Sequence, residues 1–149
     1  MLQALEKAWK IDPRILVEEG LEVREIECGI IGKTKLFTSE IGEVRYEGDW
    51  YDYDSKYYKN NKITIPAEID SKISKQIQAI AIQSCRALNI FGFARVDFFL
   101  EKSSNKILLN EINTIPGFTK NSMFPILWEA SGFNIEQLVA KLVDISLDL

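Results

Sequence analysis

At 149 residues the chain is long enough for one domain with a single core, and 46% hydrophobic with 27% charged residues is ordinary for a globular protein. The net charge of −4 comes without any Lys/Arg run, so there is no footprint for nucleic acid or an anionic membrane, and no apolar run nears the roughly 18 residues of a membrane span. Histidine is absent, which removes Ser-His-Asp, Cys-His and His-metal chemistry together and leaves carboxylates, Lys, Arg, Tyr, backbone amides or a metal with oxygen ligands.

Leu2, Leu5 and Trp9 fall near helical spacing, and Asp12-Pro13 ends that helix. The opening residues MLQALEKAWKID lack the apolar core of a signal peptide. RILVEEG (Arg14–Gly20) reads as a strand that stops at Gly20. VREIECGII (Val23–Ile31) alternates in its first half, Gly32-Lys33 turns, and KLFTSEI (Lys35–Ile41) with EVRY (Glu43–Tyr46) supplies further antiparallel strand. Glu47 to Lys62 carries five aromatics among Asp, Lys, Asn and Gly with no sustained period, which suits a compact functional loop or a surface Ω-loop packed by its tyrosines. Ile63-Thr64-Ile65 is a short strand stopped by Pro66.

Asp70 or Ser71 caps a long helix to Asn89, with an apolar stripe of Ile69, Ile73, Ile77, Ile80, Ala81, Cys85 and Leu88. FARVDFFLEK (Phe93–Lys102), the turn Ser103-Ser104-Asn105 and KILLNEIN (Lys106–Asn113) form a hairpin. After TIPGFTKNS come two helices, about Met123–Ala130 and Ile135–Ile145, split at Ser131-Gly132. The expected class is α+β, a mostly antiparallel sheet packed by helices on one side. Cys28 and Cys85 are too few for a disulfide framework or a zinc site and read as buried thiols in a reducing, cytoplasmic setting.

Residues i and i+2 of a strand face the same way, so Arg95 and Asp97 share one face and Glu111 and Asn113 share another. If the two faces coincide, three oxygen ligands suited to Mg²⁺ or Mn²⁺ meet a guanidinium able to stabilise developing negative charge. Gly117, in the Pro-Gly turn that follows, can offer an unshielded N–H to an anion. The competing account is a solvated face with weak ion pairs. Phe98, Leu100, Leu108 and Ile112 assign the opposite face to the core, while Phe93, Phe99 and Leu109 make the charged face half-apolar, which suits a cleft.

GFARVDFFL (Gly92–Leu100) followed by LLNEINTIPGFT (Leu108–Thr119) resembles the carboxy-terminal part of D-alanine–D-alanine ligases, members of the ATP-grasp superfamily. ILVEEGLEVREIECGIIG (Ile15–Gly32), YDYDSKYY (Tyr51–Tyr58) and NSMFPILWEASG (Asn121–Gly132) match the same family in the same order. The resemblance implies an ATP-grasp carboxy-terminal domain at residues 26–149 with a lid loop at 47–62, and a remnant of the central domain at 1–25. It places ATP between two antiparallel sheets, with Glu18 and the backbone of Glu19 and Leu21 on adenine and Glu25 on ribose. Phe99 packs on the base, Lys56 reaches the phosphates, and Asn110 joins the nucleotide-binding group. Asp97, Glu111 and Asn113 match the ligands of Mg²⁺ (or Mn²⁺), two ions in all.

The chemistry so implied is a two-step ligation. One D-alanine carboxylate takes the γ-phosphoryl of ATP, a second D-alanine amine attacks the acyl phosphate, and phosphate leaves. Arg95 and the Gly117 amide match the groups that hold the tetrahedral oxyanion, and Ser122 and Met123 match the pocket of the second amino acid. Tyr57 matches the lid tyrosine; relatives that make depsipeptides tend to carry a histidine in this loop, so an amino acid is favoured over a hydroxy acid. The residues that orient the first D-alanine and bind the triphosphate lie upstream in the family. The chain is therefore expected to be a fragment with little activity alone, taken from a homodimeric enzyme of peptidoglycan precursor synthesis with no nucleic-acid or membrane partner. Another ATP-grasp carboxylate–amine ligase, or a non-catalytic nucleotide-binding module, are the alternatives.

Overall fold

Alternation of apolar and polar residues in VREIECGIIG builds the middle strand of a sheet. In the computed structural model, which describes residues 2–45 and 62–147, this segment is β1 (Val23–Gly32). It follows a short helix, α1 (Leu2–Trp9). After it come β2 (Leu36–Arg45), β3 (Lys62–Thr64), α2 (Ser71–Ala87), β4 (Gly92–Glu101), β5 (Ile107–Asn113), α3 (Met123–Ala130) and α4 (Ile135–Leu147). The five strands form one sheet in the order β3-β2-β1-β4-β5, with every neighbouring pair antiparallel. The β1–β4 pair runs unbroken from Val23 opposite Glu101 to Gly32 opposite Gly92.

Ile26, Cys28 and Ile30 of β1 join Ala94, Val96, Phe98 and Leu100 of β4 in a core closed by Ile77, Ala81 and Cys85 of α2. Their spacing on α2 is the i, i+4, i+8 stripe of a helix with one buried face. Asp70 starts that helix by accepting a hydrogen bond from the Lys72 amide at 2.7 Å. Leu88, expected in the stripe, is instead 64% exposed, because the helix ends at Ala87 and Asn89 takes a positive φ of 53°. Ile90 packs on the core in its place.

Helices cover both faces of the sheet rather than the one expected. Ile31 points away from α2 and packs with Phe124, Trp128 and Leu138 of α3 and α4, while Val44 meets Met123 and Leu127. The adjacent isoleucines of β1 explain this: consecutive strand residues face opposite ways, so Ile30-Ile31 needs cover on each side. Two glycines let α3 sit close. A Cβ on Gly29 would lie 2.7 Å from Trp128 Nε1, and one on Gly42 would lie 2.8 Å from Leu127 Cδ2.

Residues 14–20 form no strand. No described strand pairs with them, and Leu16 and Val17 are 80% and 69% exposed. β-propensity without a hydrogen-bonding neighbour does not make a strand. The segments written separately as KLFTSEI and EVRY are one strand through Gly42, with Tyr46 outside the described residues. Within this strand Glu43, 1% exposed, accepts from Arg24 Nε and Nη2 at 2.8 Å each and from Arg45 at 2.9 Å. Burial alone would raise its carboxyl, but the two guanidinium partners hold it at about 2. Among the described residues no helix is long and apolar enough to cross a membrane.

Candidate functional site

On the face opposite α2, the sheet lines a cavity of about 320 Å³. Glu25 and Glu27 come from β1, Arg95, Asp97 and Phe99 from β4, and Asn110 and Glu111 from β5, with Asn121 and Met123 at the start of α3. The strand pairings explain why these side chains meet. Directly opposed residues point the same way, and Glu25 opposes Phe99, Glu27 opposes Asp97, and Asp97 in turn opposes Glu111. The cavity wall mixes four acids, one arginine and two amides with apolar side chains, as ligand sites commonly do.

Arg95 stands at its centre. Its Nε and Nη2 donate to Asp97 Oδ1 and Oδ2 at 2.7 Å each, and Glu27 Oε2 lies 2.9 Å from the same Nε. Burial works against the guanidinium charge, but the hydrogen bonds to Asp97 and the negative charges of Glu27, Asp97 and Glu111 outweigh it, and its pKa is raised. Arg95 is therefore a fixed positive charge. Nη1 takes no part in the fork on Asp97.

A one-residue bulge shapes the β5 side. Asp97 opposes Glu111 but Phe98 opposes Leu109, so Asn110 is the extra residue. Both Asn110 and Glu111 consequently line the cavity. The bulge also reverses an expectation: Leu108 pairs with Phe99 on the charged face and Leu109 with Phe98 on the other, the opposite of what strict alternation through β5 gives.

Asn113 opposes Arg95, and its Oδ1 accepts from the Ile115 amide at 3.2 Å, which starts the turn into Pro116-Gly117. Phe118 in that loop packs against Phe93 and Phe124, and Phe124 continues to Trp128. The loop is thus clamped to the sheet by rings. A Cβ on Gly117 would lie 2.9 Å from Ser122 Oγ. Ser122 precedes α3, and its hydroxyl accepts from the Thr119 amide at 2.9 Å and shares a 2.8 Å hydrogen bond with Thr119 Oγ1. Gly117 and Ser122 are therefore neighbours.

Of the residues singled out in the sequence, Arg95, Asp97, Glu111, Glu25, Phe99, Asn110 and Met123 meet at the cavity. Asn113, Gly117 and Ser122 sit at its β5–α3 end without lining it. Glu18 and Glu19 are exposed and Leu21 half-buried in the segment before β1, and none of the three lines the cavity. Lys56 and Tyr57 lie outside the described residues. Glu27 and Asn121 were missed. The alternation that points to Glu25 points equally to Glu27, two residues on, whereas Asn121 opens the matched segment NSMFPILWEASG with no local pattern of its own.

Among the described residues no three His, Cys, Asp or Glu side chains gather to hold a metal by themselves. The donors present are two facing carboxylates, Asp97 and Glu111, with the Asn113 amide on the same face. This all-oxygen set fits a hard divalent cation that takes its remaining ligands from water or phosphate.

Comparison with known proteins identifies the family. The family model described as "D-ala D-ala ligase C-terminus" matches residues 1–144. A D-alanine–D-alanine ligase of Prochlorococcus marinus (strain MIT 9301) is 86% identical over 149 residues, all of this chain and 42% of that protein. The solved D-alanine–D-alanine ligase of Coxiella burnetii superposes with a TM-score of 0.83 at 36% identity, over 99% of this chain and 38% of that one. The VanG D-Ala:D-Ser ligase of Enterococcus faecalis gives 0.84 at 35% identity, over 96% and 42%. The chain thus spans less than half the length of the curated relatives it matches. It belongs to the D-alanine–D-alanine ligase family, as a carboxy-terminal portion with the ATP-grasp fold.

Proposed function

We propose that this chain supplies the metal-binding and oxyanion-binding half of an ATP-dependent D-alanine–D-alanine ligase acting in peptidoglycan precursor synthesis in the cytoplasm. The observation that carries the reading is the convergence of Arg95 with the facing Asp97 and Glu111 on a cavity that Glu25 and Phe99 extend. Residues 26–149 act as the carboxy-terminal domain, residues 1–25 come from the central one, and the whole enzyme is a homodimer.

In this reading ATP lies along the cavity with its base on Phe99, its ribose on Glu25 and its phosphates toward Asp97, Glu111 and Asn110. Glu18, Glu19 and Leu21 hold the adenine edge, and Lys56 and Tyr57 close over the phosphates. When bound, Mg²⁺ or Mn²⁺, two ions held by Asp97, Glu111 and Asn113, neutralises charge on the transferring phosphoryl group. Arg95 Nη1 and the Gly117 amide face the oxyanion that forms when the second amine attacks. Ser122 and Met123 border the second amino acid. Each role is positional or electrostatic, which suits a chain without histidine.

The test is D-alanine-dependent phosphate release from Mg-ATP. It is run on this chain alone and on this chain joined to the upstream part of a relative, each beside Asn113→Ala. Activity only in the joined protein, lost in the variant, is the expected result. A folded joined protein that is inactive with D-alanine but active with another amine acceptor would overturn the substrate assignment, and turnover by this chain alone would overturn its being half a site.

A further inference from the structure

Glu27 is a buried carboxylate on the cavity wall to which the roles above give no task. It is 8% exposed, opposes Asp97 across the β1–β4 pair, and has Oε2 2.9 Å from Arg95 Nε. Two acids directly opposite one another on neighbouring strands repel. They are tolerated here because the guanidinium lies between them.

One acid would be enough to hold Arg95 as the structure shows it, since Asp97 already offers both oxygens to the fork. The second acid matters when Asp97 has another task. A divalent cation on Asp97 competes for its lone pairs and repels the guanidinium, and Arg95 would then leave the wall unless another carboxylate held it. Glu27 is in contact with Nε and on the side of Arg95 away from β5.

We propose that Glu27 is a positioning residue: it retains Arg95 when Asp97 turns to a cation, so that Nη1 stays aimed at the reacting centre. The inference rests on the ligase reading of this site. It also predicts that Glu27 raises cation affinity, by keeping an extra negative charge beside the two ligands and by drawing Arg95 off Asp97.

The experiment uses this chain joined to the upstream part of a relative, with Glu27→Gln, Glu27→Asp and a control, Glu43→Gln. Glu43 is equally buried and arginine-paired but lies on the α2 side of the sheet. Three quantities are read: kcat and KM for ATP, Mn²⁺ affinity from the free-ion EPR signal, and Tm. Glu27→Gln is expected to lose about 10- to 100-fold in kcat and several-fold in Mn²⁺ affinity, the usual scale for groups that orient ligands, with KM for ATP within about twofold. Glu27→Asp, one methylene short of Nε, should fall between. Glu43→Gln should lower Tm and leave kcat and Mn²⁺ affinity alone. If Glu27→Gln behaves like that control, or Glu27→Asp keeps full kcat, the proposal is overturned. If the unsubstituted protein is inactive with D-alanine the ligase reading fails instead, and the Mn²⁺ titration alone decides the role of Glu27.

Discussion

Asp97 and Glu111 face each other across the β4–β5 pair, with the bulge at Asn110 immediately beside them. Paired carboxylates at cross-strand distance attract a hard cation when no closer positive charge satisfies both. Of these two, Arg95 hydrogen-bonds Asp97. The 149-residue chain should therefore bind Mn²⁺, and Asp97→Asn or Glu111→Gln should each weaken binding about tenfold or more. Loss of the free-ion EPR signal on titration measures it; unchanged affinity in both variants would place the cation elsewhere.

Arg95 also tests what kind of cation the site needs. In the joined protein Arg95→Ala should cost about 10²- to 10³-fold in kcat, the range for removing one oxyanion donor. Arg95→Lys should recover little, because an ammonium cannot make the two-pronged contact with Asp97. Steady-state kinetics at saturating Mg-ATP reads both, and full recovery by Lys would reduce the residue to a point charge.

Glu43 sets an acid limit on the fold. Its carboxyl stands at about 2 in the folded chain, against an ordinary 4.5. A depressed folded pKa means the contribution is present above about 4.5 and is lost as pH falls toward 2. Glu43→Gln should cost about 2 kcal/mol at pH 7, and the gap to the parent should narrow below about pH 4.5 and close toward pH 2. Urea unfolding at pH 7, 4 and 2 measures it, and a gap that stays constant with pH would assign the loss to packing.

Two glycines fix how closely α3 lies on the sheet. Gly42→Ala drives a methyl against Leu127 and Gly29→Ala drives one against Trp128, both in buried surroundings. Each should destabilise the chain by about 1–3 kcal/mol. Gly20→Ala, with nothing within 4 Å, should be neutral or slightly stabilising. Thermal unfolding of the three variants separates the cases.

Much of this was legible in the residues. The alternation of β1, the Asp70 cap, the hairpin with its Ser-Ser-Asn turn and the two closing helices each carry a local signal that tertiary structure keeps. Arg95, Asp97 and Glu111 could be placed together because strand parity and hairpin pairing are both local. The failures share a cause. RILVEEG has the composition of a strand, but pairing depends on a neighbour no local pattern reveals. Parity through LLNEIN breaks at Asn110, where a bulge costs one residue of phase without a glycine or proline to announce it. Glu27 needed the β1–β4 register, a contact between residues some 70 apart in sequence, before its nearness to Arg95 could be seen.

The two thiols sit in the same core, Cys28 on β1 and Cys85 on α2, both buried. Burial pushes the Cys28 thiol up to about 12, so hardly any reactive thiolate exists in the folded chain at neutral pH. Alkylating reagents must wait for α2 to lift from the sheet. Their rate in native buffer therefore reports how often that core opens, without denaturant. The same silence lets a cysteine added at an exposed position take a spectroscopic label while both native thiols stay in place.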